Sequence, residues 1–152
     1  MMSSSKNLAR RRLDGNLGAL QPVDRYAPPR AGWIRAIRDA LGMSGVQFAA
    51  RLSIARQSVD DLEKSEAKGT ITLASLHRAA DALDCDLVYA LVPRTSLQQS
   101  IDDRARTIAR RALARVDQTM VLEDQKVTDA SVQQRIDDYI REHVRDRDIW
   151  NG

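Results

Sequence analysis

Apolar positions recur every three or four residues through most of this chain, and that spacing predicts a helical protein with a single break in the pattern. From Trp33 the run Trp33, Ile34, Ile37, Ala40 and Leu41 predicts a helix ending near Gly42. Ser44 suits the N-cap of a second helix with Phe48, Ala49 and Leu52 inward, before a turn at Ser53 and Ile54. A third helix is expected from about Ala55 to Lys64, burying Val59 and Leu62, then a polar loop from Ser65 to Gly69. A fourth starts near Thr72 and turns Leu73, Leu76, Ala79, Ala80 and Leu83 inward. The break comes at Asp86 to Val92, DLVYALV, whose β-branched content predicts one short strand stopped by Pro93. A solitary strand needs a partner for its backbone, so pairing across a homodimer is expected.

Helical spacing also flanks this centre. Leu8, Leu13, Leu17 and Leu20 predict a short leading helix weakened by Gly15 and Gly18, and Pro22, Pro28 and Pro29 mark Gln21 to Gly32 as a linker. Ile101, Ala105, Ile108, Ala112 and Val116 predict an amphipathic helix with Arg104, Arg106, Arg110, Arg111 and Arg115 on its polar side. Val132, Ile136, Tyr139, Ile140 and Val144 predict another. The expected organisation is an arm, helix and linker over residues 1–32, a central domain over 33–93 and a helical extension over 94–152.

Composition narrows the function classes. The 152 residues include 43% hydrophobic and 30% charged side chains, enough to form a core, and only 4% aromatics, so that core is aliphatic. One cysteine cannot form an internal disulfide, and no apolar run reaches 18 residues, which makes the cytoplasm the expected location and a membrane no partner. Met1 to Arg12 lacks the apolar segment of a secretory signal. The net charge of +3 is concentrated: residues 1–32 carry +4, notably at Arg10, Arg11 and Arg12, where a basic segment could reach phosphates.

Met43 to Glu63, MSGVQFAARLSIARQSVDDLE, has the offsets that a helix-turn-helix requires. Small Ala49 sits where two helices cross, and Leu52, Ile54, Val59 and Leu62 fill the space beneath the turn. Arg56, Gln57, Ser58, Asp60 and Asp61 then project from the front of the third helix, which has the size of a major-groove reader. Arg56 can donate two hydrogen bonds to guanine and Gln57 can pair with adenine, each contact discriminating by about 1–3 kcal/mol. Ser58 suits phosphate or sugar. Asp60 and Asp61 accept from cytosine amino groups or pair with arginine. Ser44, Gln47 and Arg51 suit phosphates that set the register.

These residues resemble the Cro/repressor-type (XRE family) helix-turn-helix regulators, with Gln57, Ser58 and Val59 matching the Gln-Ser-hydrophobic step that opens their recognition helix. The resemblance implies a lambda-repressor-like domain over residues 33–93, with the strand replacing the usual last helix. The continuation SEAKGTITLASLHRAADALDCDLVYALVP resembles, more narrowly, the regulators named mobile mystery protein A. That resemblance implies a gene neighbour encoding a Fic-domain protein, and so an autorepressor or antitoxin-like partner of one. The inhibitory motif of some Fic antitoxins, Ser or Thr followed four residues later by Glu and then Gly or Asn, is absent.

An enzyme is not indicated. His77 and Cys85 lack catalytic partners at helical spacing, Glu142, His143 and Asp146 share one helical turn as charged faces do by chance, and no phosphate loop or nucleophile motif occurs. No cofactor or metal is called for, and Trp33 and Trp150 read as core or interface residues. The expected function is a dimeric regulator that binds an inverted repeat in double-stranded DNA. The alternative of another class is a protein-binding module that sequesters a partner and keeps the helix-turn-helix as scaffold.

Overall fold

The computed structural model describes residues 4–119 and 128–151, and these form seven α-helices and two short 3-10 turns. They fall into two compact units, one spanning Pro22 to Ala90 and the other combining the chain before Pro22 with the chain from Leu91 onward.

In the first unit, α2 (Trp33–Ala40), α3 (Gly45–Leu52), α4 (Arg56–Lys68) and α5 (Leu73–Ala82) pack around Ile34, Phe48, Ala49, Val59, Ala79 and Leu83. Phe48, Val59 and Ala79 are completely buried. Burying the Phe and Val side chains stabilises the fold by about 1.5–3 kcal/mol apiece. Leu52, Ile54 and Leu62 pack against this core, as the spacing predicts, whereas Leu73 stays exposed. Trp33, expected in a core or an interface, is 45% exposed.

Two long-range ties hold the short helices. Glu66 of α4 reaches the N-terminus of α2 and accepts from the backbone N–H groups of Trp33 and Ile34, where the helix dipole favours a carboxylate. Gly32, the N-cap, has φ +87°, a backbone that favours glycine, and a Cβ there would push the Glu66 carboxylate aside. Arg38 of α2 donates to Glu63 of α4 from Nε at 2.6 Å and to the Met43 carbonyl at 2.9 Å. Glu63 is almost fully buried, so its charge depends on that partner.

The third helix is longer than the pattern predicts. Ser65 to Lys68 continue it instead of forming a loop, and Gly69 caps it in the left-handed region at φ +75°. Ser65 Oγ donates to the Leu62 carbonyl, and Glu66 is held at the α2 terminus, so polar residues that read locally as a loop gain helical partners. Thr72 caps α5 by accepting from Ser75 N–H.

The expected strand at Asp86 to Val92 is not formed: no strand occurs among the described residues. Strand character requires a ladder, and no segment among the described residues supplies one; Val88, Tyr89 and Leu91 lie exposed.

In the second unit the leading helix runs unbroken through Gly15 as α1 (Ser4–Gly18) and packs on α6 (Leu97–Thr119), which also packs against α7 (Asp129–His143). Asp14 of α1 accepts from the backbone N–H groups of Leu97 and Gln98 at 2.7 and 3.1 Å, capping α6. Arg10 donates to Gln98, while Arg11 and Arg12 stay exposed. Ile101, Ala105, Val144 and Ile149 form the core with Ile108, Tyr139 and Ile140 packed against it, and Arg104 donates to the Ile149 carbonyl at 2.9 Å. Val116 is exposed, so the α6 seam fades toward its end.

Candidate nucleic-acid interface

Ser44 opens α3 with a reciprocal capping box: Gln47 N–H donates to Ser44 Oγ at 3.1 Å, and Ser44 N–H donates to Gln47 Oε1 at 2.8 Å. Both residues are exposed, so the Ser44 hydroxyl proton and the Gln47 amide NH2 point chemistry outward from a fixed helix start. At the other end Ser53 caps α3 in the left-handed region, φ +56°, and its N–H donates to the Ala50 carbonyl. That reversal sends the chain through Ile54 into α4, with Ala55 as the extended residue before the helix.

The first turn of α4 presents Arg56, Gln57 and Ser58, all exposed, while Val59 is buried directly behind them. Four residues on, Asp60 is half-exposed and Asp61 exposed, and both lie along the same helix as Arg56. Arg56 Nη1 and Asp60 Oδ1 are 2.8 Å apart, an i,i+4 pair that fixes the guanidinium and balances one of the two acids. The hydrogen bond from Arg56 is the chief reason the Asp60 carboxyl is held below the usual carboxylate range. The Arg56 side chain also lies over Gly45 at the start of α3, so that any side chain at position 45 would meet the guanidinium. Arg56 thus packs across the start of α3 at the front of the motif.

Arg51 has a different setting. It donates from Nε to the Ala82 carbonyl at 2.6 Å and pairs with Asp84 at 3.3 Å, clamping the end of α3 to the end of α5. Arg78, absent from the sequence reading, lines a shallow cleft together with Ser58 and Asp61. Its signal was the Ser75–Arg78 spacing on the polar side of α5, which periodicity marks only as surface.

Among the described residues, no group of three or more His, Cys, Asp or Glu side chains is placed to hold a metal ion. His143 stacks on Tyr139 with ring centroids 4.6 Å apart, and Asp146 pairs with Lys6. No described helix is long and apolar enough to cross a membrane.

Residues 34–89 match the helix-turn-helix family model, a match that spans α2 to α5 and covers less than half of the chain. The matched family is DNA-binding and regulatory, typically without catalytic activity, and the match supports a DNA-binding regulator of the Cro/repressor (XRE) type. No curated protein and no solved structure matches the chain.

Proposed function

We propose that this chain is a dimeric, sequence-specific transcription regulator that reads an inverted repeat with α4. The observation that carries the reading is the exposed triplet Arg56, Gln57 and Ser58 on the first turn of a helix held from behind by Val59, with Arg56 packed over the start of α3. Arg56 and Gln57 supply the bidentate donors and acceptors that base edges require, and Ser58 a phosphate or sugar contact. Ser44 and Gln47 set the register on phosphates from the start of α3. Arg51 joins them by exchanging Asp84 for a phosphate. Asp61 accepts from a cytosine amino group, and Asp60 governs when Arg56 is released.

The resemblance of residues 65–93 to mobile mystery protein A supports a narrower role, as an autorepressor and antitoxin-like partner of a Fic-domain protein. Such a partner is not blocked through the inhibitory Fic motif, which this chain lacks.

Selection from a random-sequence duplex library, followed by footprinting at fixed salt, tests the reading. An inverted repeat with half-sites roughly 34 Å apart is expected. Arg56→Ala and Gln57→Ala should each weaken the selected site by about 1–3 kcal/mol and relax one base position per half-site. Failure to enrich any sequence overturns it, and capture of a Fic-domain protein by a chain that selects no DNA would favour the sequestering module.

A further inference from the structure

The segment from Asp86 to Arg94 carries chemistry that the readout of DNA does not use. No backbone group from Asp86 to Val92 makes a hydrogen bond among the described residues. Val88, Tyr89 and Leu91 are 81%, 69% and 89% exposed. Asp86 and Arg94 are exposed, and neither forms an ion pair among the described residues. Unpaired backbone beside large apolar side chains is an edge that another strand completes.

We infer that residues 86–94 of two copies pair as antiparallel strands about a two-fold axis at Ala90, and that this pairing is the dimer contact. The inference deepens the proposed function, since an inverted repeat requires a two-fold dimer and this segment supplies one.

Three observations select the register. A two-fold axis through an antiparallel pair sets one residue opposite itself, and residues alternate between pairs that exchange hydrogen bonds and pairs that turn their N–H and C=O groups away. Pro93 has no N–H, and its carbonyl accepts from Gln21 Nε2 at 2.9 Å. It therefore belongs to a pair that turns away from the partner strand, which assigns the ladder bonds to the even-numbered residues. Charge then chooses the axis. Centred on Ala90, Asp86 lies opposite the partner's Arg94, and Arg94 opposite the partner's Asp86, so two ion pairs close the two ends. Moving the axis to Tyr89 or Leu91 sets Asp86 against Val92 or Ser96 and loses both.

The remaining pairs are apolar. Val88 meets the partner's Val92, Tyr89 the partner's Leu91, and Leu87 the partner's Pro93, all combinations suited to a close cross-strand contact. A two-stranded ribbon is marginal in water unless it has an apolar surface to lie on. Leu87 and Tyr89, which share one face of such a strand, line a groove of about 720 Å³ in the 22–90 unit together with Trp33, Leu73 and Leu76. That groove explains why Leu73 and Trp33 stay exposed in a single copy.

Disulfide trapping reads the register directly. In a Cys85→Ser background, Ala90→Cys should oxidise to a covalent dimer, because hydrogen-bonded partners are about 5.5 Å apart at Cα, within disulfide range. Asp86→Cys should not, because eight residues of strand separate it from its own copy, roughly 26 Å. Light scattering supplies a second measure on variants whose helical circular dichroism is unchanged. Ala90→Pro should yield a monomer. Asp86→Arg should weaken the dimer roughly three- to tenfold by setting like charges opposite each other, and adding Arg94→Asp should restore it. Trapping at Asp86→Cys but not at Ala90→Cys, or a charge swap that restores nothing, overturns the register. The unmodified chain footprinting an inverted repeat without trapping at Ala90→Cys moves the dimer contact elsewhere and spares the DNA reading. Trapping at Ala90→Cys by a chain that selects no DNA does the reverse.

Discussion

In the 22–90 unit Glu66 reaches from α4 to the first N–H groups of α2, and in the other unit Asp14 reaches from α1 to the first N–H groups of α6. The same chemistry meets the same need, an open helix start, but the surroundings differ. Around α2 the helices are 8 to 13 residues long, and they share a core with three fully buried side chains and an ion pair inside it. Around α6 one helix of 23 residues carries a single apolar seam, Ile101, Ala105 and Ala109, closed from the far end of the chain by Val144 and Ile149. Isolated helices shorter than about 12–15 residues are marginal in water, so short helices must be held by tertiary ties. A recognition helix sharpens that need. Its front must stay available for DNA, so whatever stabilises α4 has to come from behind, through Val59, Glu63 and Glu66.

The largest effect should follow from Arg38→Ala. The variant leaves the Glu63 carboxylate buried without its cation, a loss on the order of 3–5 kcal/mol, whereas removing Arg38 and Glu63 together for apolar residues of similar volume should come out near neutral. Lys6→Ala in the other unit removes an exposed ion pair 3.5 Å long with Asp146, worth about 0–1 kcal/mol. Urea unfolding can follow the first unit through Trp33 in a Trp150→Phe background. A loss below about 1 kcal/mol for Arg38→Ala would show that the ion pair is dispensable to the short helices.

Next come the two carboxylate caps, which test whether like chemistry has like effect. Glu66→Ala and Asp14→Ala each strand two backbone donors, and each should destabilise by about 1–3 kcal/mol, with Glu66→Gln and Asp14→Asn recovering part because an acceptor oxygen remains. The Glu66 loss should be the greater, because α2 is only eight residues long and Gly32 is already in the left-handed region. Equal losses from urea unfolding would mean that helix length does not set the dependence on a cap.

The contrast also marks what local sequence could show. Phe48, Ala49, Val59, Ala79 and Leu83 declared themselves by helical spacing, and Ser44 by cap chemistry three residues ahead of a partner N–H. All are signals carried within one turn. Glu66 and Asp14 gave no such signal, because their partners lie 32 and 83 residues away. Hence Ser65 to Lys68 read as a loop and the α1–α6 tie went unread. Ile149 is buried although no periodic pattern surrounds it, since it follows a short 3-10 turn. DLVYALV read as a strand because β-branched and aromatic side chains favour that backbone, yet no ladder for it occurs among the described residues. At the candidate interface, the exposed positions of Arg56, Gln57 and Ser58 were legible, whereas the clamp between Arg51 and Ala82 was not.

Smaller changes probe the turn itself. Ser53 holds a left-handed backbone without being glycine, a conformation that costs an L-residue about 1–2 kcal/mol, partly offset by the stiffer unfolded chain. Ser53→Gly should therefore stabilise the 22–90 unit by about 0.5–1 kcal/mol and leave site selection unchanged, because the α3–α4 geometry is kept. Ser53→Val should do the opposite. A destabilised glycine variant in thermal unfolding would show that the serine side chain, and not the turn, is what the motif requires.

The smallest effect concerns the front of the motif, where the ion pair is exposed and adds little to stability. The Arg56 hydrogen bond is the largest influence holding the Asp60 carboxyl below its ordinary range, followed by desolvation acting the other way and then the charges of Arg56, Lys64 and Arg38. A carboxyl whose folded value lies below its unfolded value favours folding above the unfolded value, about 3.9, and loses that contribution as pH falls through the folded value. Near neutral pH Asp60 is therefore ionised and competes with a guanine for the Arg56 donors. Carbon-detected NMR titration should place the Asp60 midpoint below that of an ordinary aspartate, and Arg56→Ala should raise it toward about 3.9. Asp60→Asn should then tighten binding to the selected site, because the guanidinium no longer has an anionic competitor. An Asp60 midpoint that Arg56→Ala leaves unmoved would show that the pair does not hold Arg56, and that its approach to DNA is unregulated by its own helix.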